Sequence, residues 1–344
     1  MGGDHGPSVV VPSLTRAAER LAGRDVRFLL HGDGQRLEQG LKHIGAAAER
    51  CEVRHTDLVI AMDEKPAIAM RRGKGSSMWN AIQAVKDGEA HGAVSAGNTG
   101  GLMAISKLLL RMAAPGLERP AIVASWPTLK GYTAVLDVGA NVQSDAAQLV
   151  EFAIMGDAFH QAVHGSTRPT IGLLNVGSEE MKGHEEVREA QKLLREGGFD
   201  LHYHGFVEGD DIAKGTVDVV VTDGFTGNIA LKTAEGTARF ISTLMKDALT
   251  ANLLSKAGAL LAMGSLKAMR NRIDPSAING GPLLGLNGIV VKSHGGADAK
   301  GFANAIKVAY DLAASDYADR IAKNMAYLDR AIHTPAAEAA AEAV

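Results

Sequence analysis

Short apolar runs in this chain repeatedly end in a turn rich in Gly, Asn, Ser or Thr and then give way to helical spacing. Residues 93–101, 135–141, 171–183, 217–228 and 289–298 all follow this plan. Such alternation predicts an α/β architecture, a mostly parallel sheet covered by helices. In a parallel sheet these turns lie at the carboxyl edge of the strands, where ligands bind.

The periodicity predicts a helix up to about residue 22, with Pro12 tolerable only near its first turns. A strand over 26–30, a helix over 33–44 and a short strand over 52–55 follow. A helix over 77–87 precedes a strand at 93–95, and another helix runs from Asn98 to about Met112. Strands are expected at 121–125, 133–136, 170–174, 201–204 and 217–221, and helices at 145–163, 185–195 and 229–250. Residues 251–273 differ in character. They contain Lys256, Lys267, Arg270 and Arg272 but no acid, and they space Leu253, Leu254, Ala257, Leu260 and Leu261 on one helical side. That pattern fits an exposed cationic, apolar hairpin, and it also fits a dimer-packing or core helix pair. The Ala- and Glu-rich residues 335–344 read as a solvated tail.

The turns suit an oxyanion. A small residue lets backbone N–H groups approach a ligand, and the following helix directs its positive dipole end at the same place. Ser95-Ala-Gly-Asn-Thr-Gly-Gly101 is the most glycine-dense, Asn175-Val-Gly-Ser-Glu-Glu-Met-Lys-Gly183 adds a lysine, and Asp223-Gly-Phe-Thr-Gly-Asn228 adds an amide. Neither GxxxxGK[ST] nor GxGxxG occurs, so nucleotide and dinucleotide readings have no motif to rest on.

Composition narrows the picture further. The chain of 344 residues is long enough for a sizeable core, and its 40 glycines suit a sheet-and-turn scaffold. A formal net charge of −3 argues against a general nucleic-acid binder. Cys51 is the single cysteine, so no disulfide framework is possible, and a reducing, cytoplasmic setting is expected. No apolar run reaches the ~18 residues that a membrane-spanning helix needs.

Covalent catalysis finds no support, because GxSxG is absent and the acids around Cys51 would raise its pKa. His202 and His204 alternate on a strand but lack a supporting carboxylate motif, so no metal is expected. Asp4, Asp137 and Asp223 stand at glycine turns, where orienting the loop and catalysis are both open to them. Lys182 lies where a bound anion needs its counter-charge, and Asn228 offers an uncharged donor. A loop-stabilising role is the alternative for each.

Taken together, Met1-Gly-Gly-Asp-His-Gly-Pro7, residues 95–101, Asp137-Val-Gly-Ala-Asn141, Gly172-Leu-Leu-Asn-Val-Gly177, residues 222–228 and Val291-Lys-Ser-His-Gly295 resemble the bacterial phosphate acyltransferase (PlsX) family. The resemblance runs in order from residue 1 to about residue 320. It implies transfer of a fatty acyl group from acyl carrier protein to inorganic phosphate, giving acyl phosphate for phospholipid synthesis, with no cofactor. It also implies a three-layer α/β/α domain over 1–335, related to isocitrate dehydrogenase-like and phosphotransacetylase folds. A helical hairpin is expected at about 245–275, and a tail over 336–344. Further implications are a homodimer, attachment to the inner face of the membrane through 251–273, and a downstream acylglycerol-phosphate acyltransferase as partner. The family carries a short strand before its Met-Gly-Gly-Asp-His motif. Here the chain opens inside that motif, so two expectations stand: a strand's worth of further residues upstream, typically ~5–6, or a sheet that lacks this strand, with Asp4 and His5 poorly placed.

By residue-for-residue match, Lys182 and Asn228 are the expected catalytic pair: one orients phosphate or the developing oxyanion, the other donates at the reacting carbonyl. Their roles are interchangeable at this level. Asn98, Thr99, Asn175, Gly177, Ser178 and Gly227 are expected in the phosphate and substrate cradle.

Overall fold

The computed structural model describes residues 1–272 and 274–333; the expected tail over 336–344 lies outside them. The first elements are α1 (Pro7–Arg20), β1 (Phe28–Gly32), α2 (Gly34–Leu41), β2 (Cys51–His55), α3 (Pro66–Arg72) and α4 (Ser77–Lys86). Then come β3 (Gly92–Ser95), α5 (Thr99–Leu110), β4 (Ala121–Pro127), β5 (Tyr132–Leu136), α6 (Ala146–His164) and β6 (Thr170–Leu174). They are followed by α7 (Glu185–Glu196), β7 (His202–Val207), α8 (Gly209–Lys214), β8 (Val219–Val221) and α9 (Gly224–Thr250). The last are α10 (Leu253–Leu261), α11 (Met263–Arg272), β9 (Gly281–Leu284), β10 (Ile289–Lys292), α12 (Ala299–Ala313) and α13 (Tyr317–His333).

β1 and β2 form a parallel pair of their own, and the other strands make one eight-stranded sheet in the order β3-β10-β9-β4-β5-β8-β6-β7. The outer pairings are parallel: β3 with β10, and β5 with β8, β8 with β6, and β6 with β7. Around β9 and β4 the pairings are antiparallel, so β3 and β10 run against β5, β8, β6 and β7. The glycine turns therefore do not share one carboxyl edge. Those after β3 and β10 form one group of loops, and those after β5, β6 and β8 form another. Local periodicity carries no information on strand direction, which is why the expectation of a single edge fails.

Alternation along the strands explains the layering. Ala134 and Leu136 of β5 pack with α6 and α13, whereas Val135 between them packs with Ile212, Val217 and Val220. Leu284 and Val291 likewise join the larger core, while Leu283 and Val290 pack with α4 and α5. Helices thus cover both faces, a three-layer α/β/α arrangement. α6 is buried along most of its length; an Asp145–Gln148 capping box starts it, and Gly165 in the left-handed conformation ends it.

Several boundaries move. α1 carries Pro12 in its second turn and ends at Arg20, close to the expected residue 22; the ring removes only one hydrogen bond from a helix otherwise held against α12 and α2. α9 begins at Gly224 rather than 229 and extends unbroken for 27 residues, with α10 packed back on it. Among the described residues no helix is long and apolar enough to cross a membrane.

Glu151 on α6 is 4% exposed, and its Oε2 has no hydrogen-bond partner among the described residues. Burial, with Asp145 and Glu118 adding repulsion, pushes its carboxyl up to about 8. The folded protein therefore holds this proton over a pH range in which the unfolded chain has released it. Its contribution to stability falls as pH rises from about 4.5 towards 8 and then levels off. Glu151→Gln is expected to flatten that part of the profile and to be more stable than the parent at pH 8, read as Tm against pH in thermal melts.

Candidate active site

The loop group after β5, β6 and β8 is organised by one carboxylate. Asp137, at the end of β5, is fully buried. Its Oδ1 accepts the N–H groups of Ile122, Gly139 and Ala140 at 3.0–3.1 Å. Its Oδ2 accepts the backbone N–H of Asn141 at 2.6 Å and the Asn141 side-chain amide at 3.0 Å. Burial pushes the carboxyl above its ordinary pKa, against the pull of these N–H groups. Of the two roles open to Asp137, the geometry gives the loop-orienting one.

α9 starts against that loop. Asp223 caps it by accepting the Thr226 N–H at 2.8 Å, and the Gly224 N–H donates to the Asn141 carbonyl at 2.7 Å. A Cβ at Gly227 would lie 2.0 Å from the Asp137 carbonyl oxygen, and one at Gly224 would lie 2.4 Å from that of Asn141. Both glycines of the Asp-Gly-Phe-Thr-Gly-Asn motif are thus explained by close approach of helix and loop. Asn228, in the second turn, donates from Nδ2 to the Val138 carbonyl at 3.0 Å. It is otherwise exposed.

β6 neighbours β8, so the loop carrying Lys182 rises beside the start of α9. Asn175 closes that loop on itself: its Nδ2 donates to the Lys182 carbonyl at 3.0 Å, and its Oδ1 accepts the Val176 N–H. Gly183 has φ +86°, and a Cβ there would meet Asn175 Oδ1 at 2.0 Å. Gly177 lies under the Lys182 stem, 3.2 Å from its Cγ to where a Cβ would stand. Lys182 and Ser178 are exposed, and the Lys182 ammonium forms no hydrogen bond or ion pair with the described residues. A free ammonium and a side-chain amide thus stand on loops from adjacent strands, with Asn175, Gly177 and Gly227 supporting them.

Asn98 and Thr99 belong to the other loop group. Asn98 is buried and caps α5 by accepting the Gly101 N–H at 2.8 Å. Its Nδ2 donates to the carbonyls of Ala61, Met62 and Glu64, so the side chain is spent on holding the preceding loop. Thr99 is exposed in the first turn of α5. The residue that sequence reasoning passed over here is Lys292, at the end of β10. Its Nζ donates to the Ala96 carbonyl at 3.3 Å, and burial lowers its pKa to about 8, with Asp4 opposing. The signal was a lysine closing an apolar strand, inside the Val-Lys-Ser-His-Gly motif. Burial, rather than the neighbouring acids, pushes the Cys51 thiol up to about 11, away from the thiolate form.

The fold is the one shared by phosphotransacylases. The structure superposes on a phosphotransacetylase from Streptococcus pyogenes with a TM-score of 0.60, at 19% identity over 88% of this chain and 91% of that one. A branched-chain phosphotransacylase from Enterococcus faecalis superposes with a TM-score of 0.53, at 13% identity over 91% and 96% of the two chains. At such identities the likeness is one of fold. Sequence relatives are much nearer. The chain is 70% identical to a phosphate acyltransferase of Caulobacter vibrioides over 94% of its length and 89% of the relative's. It is 62% identical to a phosphate acyltransferase of Phenylobacterium zucineum over 99% and 96%. A family model described as "Fatty acid synthesis protein" matches residues 1–320. The chain belongs to this phosphate acyltransferase (PlsX) family and is an acyltransferase of lipid synthesis.

The seat of α9 is testable. Gly227→Ala is expected to lose about 1–3 kcal/mol, because a methyl group must push the helix off the Asp137 carbonyl. Gly236→Ala on the same helix, where a Cβ meets nothing within 4 Å, is expected to be neutral or to gain up to ~1 kcal/mol. Urea denaturation of the two variants measures the contrast.

Proposed function

We propose that the enzyme transfers a long-chain acyl group from acyl carrier protein to inorganic phosphate, with Lys182 and Asn228 as its catalytic residues. The observation that carries this reading is the apolar surface around them. Val142, Val176, Met181, Phe225 and Ile229 stand on the same loops and the same helix start, with exposures from 50% at Ile229 to 81% at Met181. Apolar groups held in solvent around two polar donors suit a substrate with a fatty chain and a polar reacting centre.

Phosphate is already a nucleophile, and a thioester is already activated. A phosphate oxygen adds to the thioester carbonyl, the tetrahedral intermediate collapses, the C–S bond breaks and the thiolate departs with acyl phosphate as the other product. A thiol pKa near that of cysteine, about 8.5, lets the thiolate leave without a dedicated acid. The protein's part is to hold the anion, align it and stabilise the oxyanion. Lys182 supplies the charge, Asn228 the second donor, and Asn175, Gly177, Ser178 and Gly227 the cradle. Asn98 and Thr99 stand in the other loop group and lie outside this cradle.

α9 continues the apolar surface outward through Phe240, Ile241 and Leu244 to Leu253, Leu254, Leu260 and Leu261, the last 91% exposed. Lys256 and Lys267 lie on the same extension, and its described residues from 251 onward contain no acid. We read it as the surface that rests on the inner leaflet of the membrane and receives acidic acyl carrier protein, in a homodimer whose product passes to an acylglycerol-phosphate acyltransferase.

The test is product formation from long-chain acyl carrier protein and radiolabelled orthophosphate, with the acyl-coenzyme A as the rival donor. Labelled acyl phosphate is expected from the carrier protein in preference; preference for the coenzyme A thioester overturns the donor assignment. Lys182→Ala and Asn228→Ala are expected to keep the parent Tm and lose about 10²–10³ in turnover. Parent-like rates in both would remove them from the site.

A further inference from the structure

One face of the large sheet is only partly covered. On that face Leu283 and Val290 pack with α4 and α5, and Val135 and Val220 pack with Ile212 of α8. Between these two clusters runs β4. Its Ala121 and Val123 face the opposite side and are fully buried, whereas Ile122, Ala124 and Trp126 on this face are half-buried. Ile122 packs against both clusters and marks where they meet. β4 thus floors a cleft between two helical halves.

Strand register brings Lys292 to this cleft. Alternation along β10 puts it on the same face as Val290. Lys292 stands opposite Gly281 of β9, and Ala124 stands opposite Val135. In the β4–β9 pairing Ala121 faces Leu284 and Ile122 faces Leu283, so two residues further on Gly281 falls opposite Ala124. Lys292, Gly281, Ala124 and Val135 therefore form one row across the sheet, and its two middle members are small. A Cβ on Gly281 would meet only sheet atoms, the Val123 carbonyl at 3.1 Å being the nearest, and no helix comes within 4 Å.

One end of the row is charged. Among the described residues, Lys292 Nζ donates only to the carbonyls of Ala96 and Ser293, and Asp4 acts on it from beyond ion-pair distance. A half-buried ammonium held by neutral groups lacks a counter-charge. Three strand spacings across the sheet and three residues along β5 separate it from Val138, a span of roughly 17 Å. The Val138 carbonyl is the anchor of Asn228. The chain leaves this face in α9, at the Asn228 end, and returns to it at Gly281, beside Lys292. The carrier surface proposed above therefore flanks both ends of the cleft.

Resting on the acyl-transfer reading above, we propose that this cleft holds the phosphopantetheine arm of the thioester donor, with its phosphate group on Lys292 and its thioester at Asn228. The arm has about thirteen bonds from phosphorus to sulfur and spans ~16 Å when extended. That length matches the distance between the two residues. Its narrow amide segment lies over Gly281 and Ala124, where larger side chains would leave no room. Acyl carrier protein and coenzyme A both present their thiol on this arm, and Lys292 reads the part that they share.

The experiment measures equilibrium binding of two unreactive thioethers, S-dodecyl-phosphopantetheine and S-dodecyl-pantetheine, to the parent, Lys292→Met, Lys292→Arg and Ala124→Leu. The parent is expected to bind the phosphorylated compound about tenfold more tightly or better. Lys292→Met should bind the two equally, with the KM for orthophosphate unchanged, and Lys292→Arg should keep part of the preference. Ala124→Leu tests the floor independently of the lysine and should weaken both compounds about tenfold at an unchanged Tm. Equal binding of the two compounds by the parent, an equal loss of both in Lys292→Met, or parent-like binding by Ala124→Leu overturns the proposal. A raised KM for orthophosphate in Lys292→Met without loss of the preference also overturns it and makes Lys292 a ligand of the phosphate substrate. Displacement of the phosphorylated probe by acyl carrier protein or by coenzyme A identifies which of them supplies the arm. Binding involves no turnover, so a protein that holds the arm but forms no acyl phosphate would end the acyl-transfer reading and leave this site standing.

Discussion

One buried carboxylate carries the arrangement on which the rest of the site depends. Asp137 ends its strand in a turn whose Gly139, Ala140 and Asn141 N–H groups face its side chain, which supplies the acceptors that water would otherwise provide. A buried, unpaired charge would be costly, whereas this one is surrounded by donors from its own loop and from β4. With the loop fixed, its carbonyls become a surface on which a helix can rest. Two glycines let α9 settle onto that surface, and Asn228 anchors to it. This loop edge is thus built from main chain held by one acid.

The sheet reversal between β10 and β5 has a second effect. It separates two sets of glycine-rich loops that look equivalent in sequence and gives them different chemistry. In one set, Asn98 is consumed in tethering a loop and Lys292 is half-buried with a lowered pKa. In the other, Lys182 is exposed and unpartnered among the described residues. The same turn composition therefore serves as scaffold in one place and presents donors in the other. The difference is one of degree: the Asn98 amide reaches three backbone carbonyls, whereas that of Asn228 reaches the Val138 carbonyl and is otherwise exposed.

Most of the alternating elements were readable from periodicity, because apolar runs and helical spacing report burial directly. β5 and α6 fall close to their expected bounds. β9 was not readable: it has four residues, contains Pro282 and is flanked by glycines, features that weaken a strand signal. Its antiparallel setting is a property of the assembled sheet and is written in no local pattern. α8 was also missed, being a six-residue turn of helix with little apolar spacing. For the site, motif glycines and Lys182 stood out in the sequence, whereas Asn98 and Asn228 looked alike. Only the carbonyls around Asn98 distinguish a spent amide from one at the surface. Lys292 went unassigned because its burial comes from β3 and the Ala96 loop, distant in sequence.

At 27 residues, α9 is a rod of about 40 Å. It is gripped at its first turns by the Asp137 loop and is largely exposed thereafter. A rod held at one end turns about the grip. A tilt of ten degrees would sweep its far end through about 7 Å, yet move Asn228, a single turn from the pivot, by about 1 Å. A displacement of the outer arm would thus reach Asn228 as a shift no longer than a bond.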